Sequence, residues 1–292
     1  MTAVRLKGGM GNQMFQYALG LQLAEQLGEP VRHDLSNLLY RNKPEGFVYR
    51  DLDLDVFRTD VEPLFPAGPL RTVFNRRIGK VSRVMQRIAI RGLPTVKEAH
   101  FHYDPKILDQ ARTGVIYNGW FQSPRYFAGV EDRVREHFRF ARPILPESRE
   151  LLARIEGTNA VCLNVRRTDF LKDATLNATD LAYFLRGVDY FGQTLEAPHF
   201  FVFSDDVAWC RENFELPFPT EVVGHEHKGF KFGNYLHLMQ RCRHYLIPNS
   251  SFAWWAAWLN EGADKVVVAP KNWFADPEID TSDLVPAAWV RL

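Results

Sequence analysis

The sequence predicts an α/β protein of two lobes, each a parallel sheet crossed by helices, and three observations predict it. Strand-length apolar runs in the C-terminal half, AVCLNV (160–165), HFFVFS (199–204), HYLIP (244–248) and KVVVAP (265–270), alternate with helix-like stretches. Each run ends on a polar cluster: Arg166-Arg167-Thr168-Asp169, Asp205-Asp206, Asn249-Ser250-Ser251 and Lys271-Asn272-Trp273. The chain also opens with a strand, a glycine turn and a helix, the first unit of a doubly wound fold.

Taken in order, residues 4–7 form the first expected strand, and Gly8-Gly9-Met10-Gly11-Asn12-Gln13 turns into a helix. Phe15, Leu19, Leu23 and Leu27 recur at helical spacing and carry that helix from Met14 to Leu27. PVRHD (30–34) is a second strand after Gly28. From Val73 to Arg91, Phe74, Ile78, Val81, Met85 and Ile88 make an apolar stripe among arginines and lysines, with no acidic residue between them. Such a helix packs by its stripe as a surface helix or lies on an anionic membrane. Pro143 and Pro146 mark a linker, which divides the chain into residues 1–146 and 147–292.

Composition narrows the function classes. With 36 Lys+Arg against 35 Asp+Glu, no global field draws the protein to nucleic acid, so an anion site must be local. Three cysteines without a CxxC pair read as reduced thiols of a cytoplasmic protein, and no apolar run has membrane-spanning length.

In open parallel sheets ligands bind beyond the carboxyl ends of the strands, where these polar clusters lie. Arg166 and Arg167 suit a phosphate, because guanidinium stays charged and binds bidentately. Asn249-Ser250-Ser251-Phe252 stands where a helix begins, and its free N–H groups make an anion site or a simple cap. Together they suit a nucleoside diphosphate. Asp205 or Asp206 would accept from a guanine edge, a pattern adenine lacks. Gly9-x-Gly11 offers a rival reading, a nicotinamide dinucleotide site with Asp34 on the ribose, although Met14 stands at the third glycine position. Asn12 and Gln13 otherwise present amides to a ligand. The Trp254, Trp255 and Trp258 helix reads as core, with a carbohydrate-binding protein as a further rival. The metal-like patterns Asp51-x-Asp53-x-Asp55 and His225-x-His227 read as structural, so no metal site is expected.

With these residues the chain resembles the α-1,2-fucosyltransferases of glycosyltransferase family eleven. GGMGNQMFQYA (8–18), VRRTDF (165–170), FSDD (203–206), LMQRCRHYLIPNSSFAWWAAWLN (238–260) and VVVAPKNWF (266–274) carry the resemblance in the family's order. It implies a GT-B fold whose two Rossmann-like lobes face a central cleft, with GDP-fucose on the C-terminal lobe and a β-galactoside acceptor on the other. It further implies inversion at the anomeric carbon and no metal or other cofactor. The nucleotide-sugar set is then Gly9, Gly11, Asn12, Asn164, Arg166, Arg167, Asp205, Asp206, Asn249, Ser250, Ser251 and Phe252. Arg166 stabilises the leaving diphosphate, Asp169 or Asp173 takes the acceptor proton, and Asn12 positions the acceptor hydroxyl. The family has His where Asn164 stands and Asp in the stretch of Asn234-Tyr235. Acceptor selection falls on loops near Tyr40 to Tyr49 and His100 to Tyr103.

Overall fold

The computed structural model describes residues 1–39, 50–64, 92–168, 175 and 178–292. The 73–91 segment and the Tyr40–Tyr49 loop therefore lie outside the described residues. So do Asp169 and Asp173. The chain forms two compact units, Met1–Ala141 and Arg142–Leu292.

The first unit is a four-stranded sheet, β1 (Thr2–Arg5), β2 (Val31–Asp34), β3 (Thr95–Lys97) and β4 (Ile116–Asn118), in the order β2-β1-β4-β3 with every pairing parallel. The opening strand ends at Arg5, so Leu6 and Lys7 already belong to the loop. The helix that follows spans Met10–Leu27, starting four residues before the expected Met14. It is buried almost all round through its first half, which is why a one-sided apolar stripe describes it poorly. Gly28 closes it in the left-handed region, φ 64°, with its N–H on the Ala24 carbonyl.

The second unit is a six-stranded sheet, β5 (Asn159–Val165), β6 (Pro198–Ser204), β7 (Thr220–Val222), β8 (His244–Leu246), β9 (Val267–Ala269) and β10 (Val290–Arg291). Its order is β10-β9-β8-β5-β6-β7, again all parallel. The central strands β5 and β6 pair along seven residues each and are buried on both faces, as continuous apolar runs should be. The Leu181–Thr194 helix packs Tyr183, Phe184, Val188 and Phe191 onto Leu163, Phe200 and Leu246. Trp254 and Trp255 of the Ser251–Leu259 helix are fully buried, so the aromatic helix is core, as its sequence suggests. Among the described residues no helix is long and apolar enough to cross a membrane.

His33 on β2 is buried against Tyr17, ring centroids 5.1 Å apart, and burial lowers its pKa from 6.5 to about 4. The folded protein thus keeps this imidazole neutral where the unfolded chain protonates it. Its stabilising contribution is complete above pH 6.5 and is lost as the pH falls toward 4. One proton corresponds to a slope of about 1.4 kcal/mol per pH unit in that window. Urea denaturation of His33→Phe between pH 4 and 6.5 should show a pH slope shallower by one proton; an unchanged slope would mean that the folded protein protonates His33.

Candidate active site

The β5–β6 register builds the centre of the site. Val165 pairs with Ser204, so both strands end at one level and the next residues, Arg166 and Asp205, come side by side. Arg166 Nη1 lies 3.3 Å from Asp205 Oδ2, and 29% of the arginine side chain remains exposed. Asp205 is only 10% exposed and also accepts the Arg167 N–H at 3.0 Å, the Thr168 N–H at 3.2 Å and the Thr168 hydroxyl at 2.5 Å. Its carboxylate is therefore taken up in holding the arginine loop, and the sequence expectation that it is open to a base edge changes accordingly. Asp206 caps the Val207–Asn213 helix by accepting the Trp209 N–H at 3.2 Å. Arg167 lies 3.7 Å from the centre of the Trp209 ring with its Nε 3.3 Å from Asp206. That packing fixes Arg167 along the helix start.

The neighbouring strand β8 brings the helix terminus to the same level. Leu163 pairs with Leu246, and three residues further on stand Arg166 and Asn249. Asn249 and Ser250 are buried, and Asn249 Oδ1 accepts from the Thr179 hydroxyl at 3.3 Å. Ser250 occupies the N-cap position without a side-chain cap bond, and Ser251 and Phe252 open the helix. Asn164, buried on β5, donates to the Phe203 carbonyl at 3.1 Å. The two imidazoles of the His225-x-His227 pattern serve different partners: His225 Nε2 is 3.1 Å from the Ser204 carbonyl and His227 Nδ1 is 3.0 Å from Ser148 Oγ. Among the described residues no three His, Cys, Asp or Glu side chains form a metal-binding group. All three cysteines are buried and free of disulfides.

The first unit has its own strand-end cluster, which the sequence reading located only in part. The glycine that needs positive φ is Gly8 (77°), rather than Gly9 or Gly11; Gly9 is extended and forms the helix N-cap. A Cβ on Gly8 would stand 2.5 Å from Asn12 Nδ2 and 3.0 Å from Trp120 Cζ3, so the bare backbone makes room for both side chains. Asn12 Oδ1 accepts from Gln122 Nε2 at 2.7 Å. Gln13 does not present its amide outward: it bonds the Gly8 and Asp51 carbonyls and the Asp53 N–H, at 2.8 to 2.9 Å. Gln16 joins the ends of β1 and β4, accepting from the Lys7 N–H and donating to the Gly119 carbonyl. Asp34 is buried and bound to Arg5 Nε at 2.6 Å and the Ser36 N–H at 2.9 Å. With its side chain 0% exposed it presents no carboxylate edge to a ribose, which argues against the dinucleotide reading.

Sequence reading missed Glu98 and Trp120. Glu98, just beyond β3, accepts the consecutive N–H groups of Trp120 and Phe121 at 2.6 and 2.9 Å. Burial raises its pKa above the ordinary carboxylate range, and those two bonds oppose the shift. The available signal was the tripeptide Gly119-Trp120-Phe121 directly after an apolar run, a glycine turn placing an aromatic residue at a strand end.

Removing the Asp205 carboxylate would strand two backbone donors and a hydroxyl. Asp205→Ala should cost about 1–3 kcal/mol in urea denaturation and accelerate amide exchange at Arg167 and Thr168. Unchanged exchange at those amides would show that the loop is held by something else.

Comparison with known proteins places this geometry in a family. Residues 100–292 match Glycosyl transferase family 11. An alpha-1,2-colitosyltransferase of Escherichia coli is 29% identical over 100% of this chain and 99% of its own length. The O-antigen biosynthesis glycosyltransferase WbnK of Escherichia coli is 26% identical over 98% and 99%. A galactoside alpha-(1,2)-fucosyltransferase 1 of Ateles belzebuth is 25% identical over 90% of this chain and 66% of its own. Among solved structures, a mutant of Arabidopsis thaliana FUT1 in complex with GDP shares the fold at a TM-score of 0.50 and 14% identity, covering 93% of this chain and 71% of that one. The two Rossmann-like α/β units are thus a fold of the GT-B type. The chain is a glycosyltransferase and belongs to glycosyl transferase family 11.

Proposed function

We propose that this glycosyltransferase moves L-fucose from GDP-fucose to the 2-hydroxyl of a terminal β-galactoside, with inversion to an α-1,2 linkage and without a metal ion, in the synthesis of a surface glycan such as an O-antigen. The observation that carries this reading is Arg166, fixed at the end of β5 by Asp205 and level with the Asn249–Ser251 helix start. Names of the relatives support it: they act as alpha-1,2-colitosyl- and galactoside alpha-(1,2)-fucosyltransferases.

In this reading the second unit holds GDP and the first holds the acceptor. As the bond between C1 and the phosphate oxygen breaks, negative charge gathers on the β-phosphate. Arg166 and the N–H groups at the start of the Ser251–Leu259 helix meet that charge with donors already in place. Arg167, stacked on Trp209, contributes its charge from a fixed position. The acceptor hydroxyl attacks from the opposite face, with Asp169 or Asp173 taking its proton and Asn12 positioning it. Removing Arg166 should lower kcat by about 10²- to 10³-fold while the melting temperature and circular dichroism stay at wild-type values. A near-wild-type kcat for Arg166→Ala would take this arginine out of the reaction.

The 29% identity to a colitosyltransferase over the full length gives a second donor specific weight. Colitose is fucose without its 3-hydroxyl. A site that hydrogen-bonds that hydroxyl rejects the deoxy sugar by about 10⁴- to 10⁵-fold, whereas an apolar site accepts both. Transfer to a galactoside is therefore to be measured with GDP-fucose and GDP-colitose, each with and without EDTA. GDP-fucose should be used at equal rates in both buffers. Turnover that disappears with EDTA and returns with magnesium or manganese would refute the metal-free mechanism.

A further inference from the structure

The loop after β4 presents an aromatic side chain to solvent. Of the seven tryptophans Trp120 has the most exposed position, at 37%, and it follows directly on a strand end. The backbone is bent to put it there. Phe121 takes φ 53°, a left-handed conformation costing a bulky residue about 1–3 kcal/mol. This bend sends Phe121 into the core, fully buried against Tyr126, and Trp120 outward. Gly119 lets the loop close, since a Cβ there would stand 2.6 Å from Glu98 Cβ. The half-buried Glu98 carboxylate then clamps the N–H groups of both aromatic residues. Lys7 Nζ lies over one face of the indole, 4.2 Å from its centre, and burial lowers the pKa of its ammonium. At the indole edge the bare Gly8 backbone leaves room for Asn12 Nδ2 beside Trp120 Cζ3, and Gln122 Nε2 holds the Asn12 amide by its oxygen.

A strained, clamped and exposed indole, with an ammonium over one face and the Asn12 amide at its edge, has the chemistry of a pyranose platform on its other face. The axial 4-hydroxyl of galactose leaves the C–H bonds of C3, C4 and C5 on one apolar face, which packs on an aromatic ring, while its hydroxyls meet polar groups at the rim. We propose that Trp120 is the platform on which the terminal galactose of the acceptor stacks, on the ring face away from Lys7, with Asn12 at the ring edge bonding its hydroxyls. The proposal rests on the galactoside-acceptor reading above, and it assigns the acceptor subsite to residues of the first unit alone.

The test is saturation-transfer NMR of methyl β-D-galactopyranoside with the full chain in the presence of GDP, followed by acceptor kinetics. Saturation should reach the protons of C3, C4 and C5 with wild type, vanish with Trp120→Ala and persist with Trp120→Phe. The acceptor KM should rise by about 10-fold or more in Trp120→Ala, with little change in Trp120→Phe and with GDP affinity and melting temperature retained in both. Unaltered saturation in Trp120→Ala, or none in wild type, overturns the platform. Galactoside binding that depends on Trp120 while no GDP-sugar is consumed would keep the platform and remove the GDP-sugar donor reading.

Discussion

In each unit a carboxylate at one strand end accepts two consecutive backbone N–H groups from the loop of the neighbouring parallel strand. Asp205, after β6, takes the amides of Arg167 and Thr168 after β5. Glu98, after β3, takes those of Trp120 and Phe121 after β4. The geometry follows from parallel pairing: Val165 opposite Ser204 and Lys97 opposite Asn118 bring the following residues of both strands to a common level. A carboxylate there satisfies backbone donors that the ending ladder leaves behind. The two candidate subsites depend on this one device.

Its consequence is preorganisation. A loop whose amides are already bonded to a charged acceptor adopts its binding conformation before a ligand arrives, so little ordering is left to oppose binding. The clamp also offsets local strain. Phe121 is held in the left-handed region by a bond to its own N–H. Beyond β7 the turn through Gly229, Lys231 and Phe232 contains three residues with positive φ, and Phe230 and Phe232 are exposed there. Left-handed backbone thus lies beyond the end of β4 in the first unit and just before the Gly233–Gln240 helix in the second.

The long elements were legible because burial on both faces leaves an unambiguous trace in sequence. β8 and β9 fall within the apolar runs that predict them, β5 and β6 begin one residue before theirs, and the Met10–Leu27 helix differs only in where it starts. The strands β3, β4, β7 and β10 are two or three residues long and owe their existence to a paired neighbour, so no local pattern marks them. For the site, residue type was legible and direction was not. Asp205 sits where a ligand contact was expected, yet its oxygens face the backbone of the arginine loop. Gln13, in the first turn of the Met10–Leu27 helix, and Asp34, at the end of β2, spend their polar atoms on internal bonds. Trp120 escaped notice because a solitary tryptophan carries no periodicity, whereas of the clustered tryptophans that drew attention Trp254 and Trp255 are buried.

The departures from the resembled family have a structural logic of their own. Asn234 accepts the Leu145 N–H through Oδ1, while its Nδ2 donates to Ser148 Oγ and the His227 carbonyl. An aspartate there could accept from Leu145 but would turn a second oxygen toward the His227 carbonyl, replacing a hydrogen bond with repulsion. The amide is thus required by the way this chain ties its 145–148 segment to the turn after β7. Asn164 likewise uses its Nδ2 on the Phe203 carbonyl, joining β5 to β6 one residue before the strands end. Both changes convert a position into a cross-link between backbone segments. The pairing of Arg166 with Asp205 draws on neither amide, so the charge arrangement at the end of β5 can persist while its surroundings change.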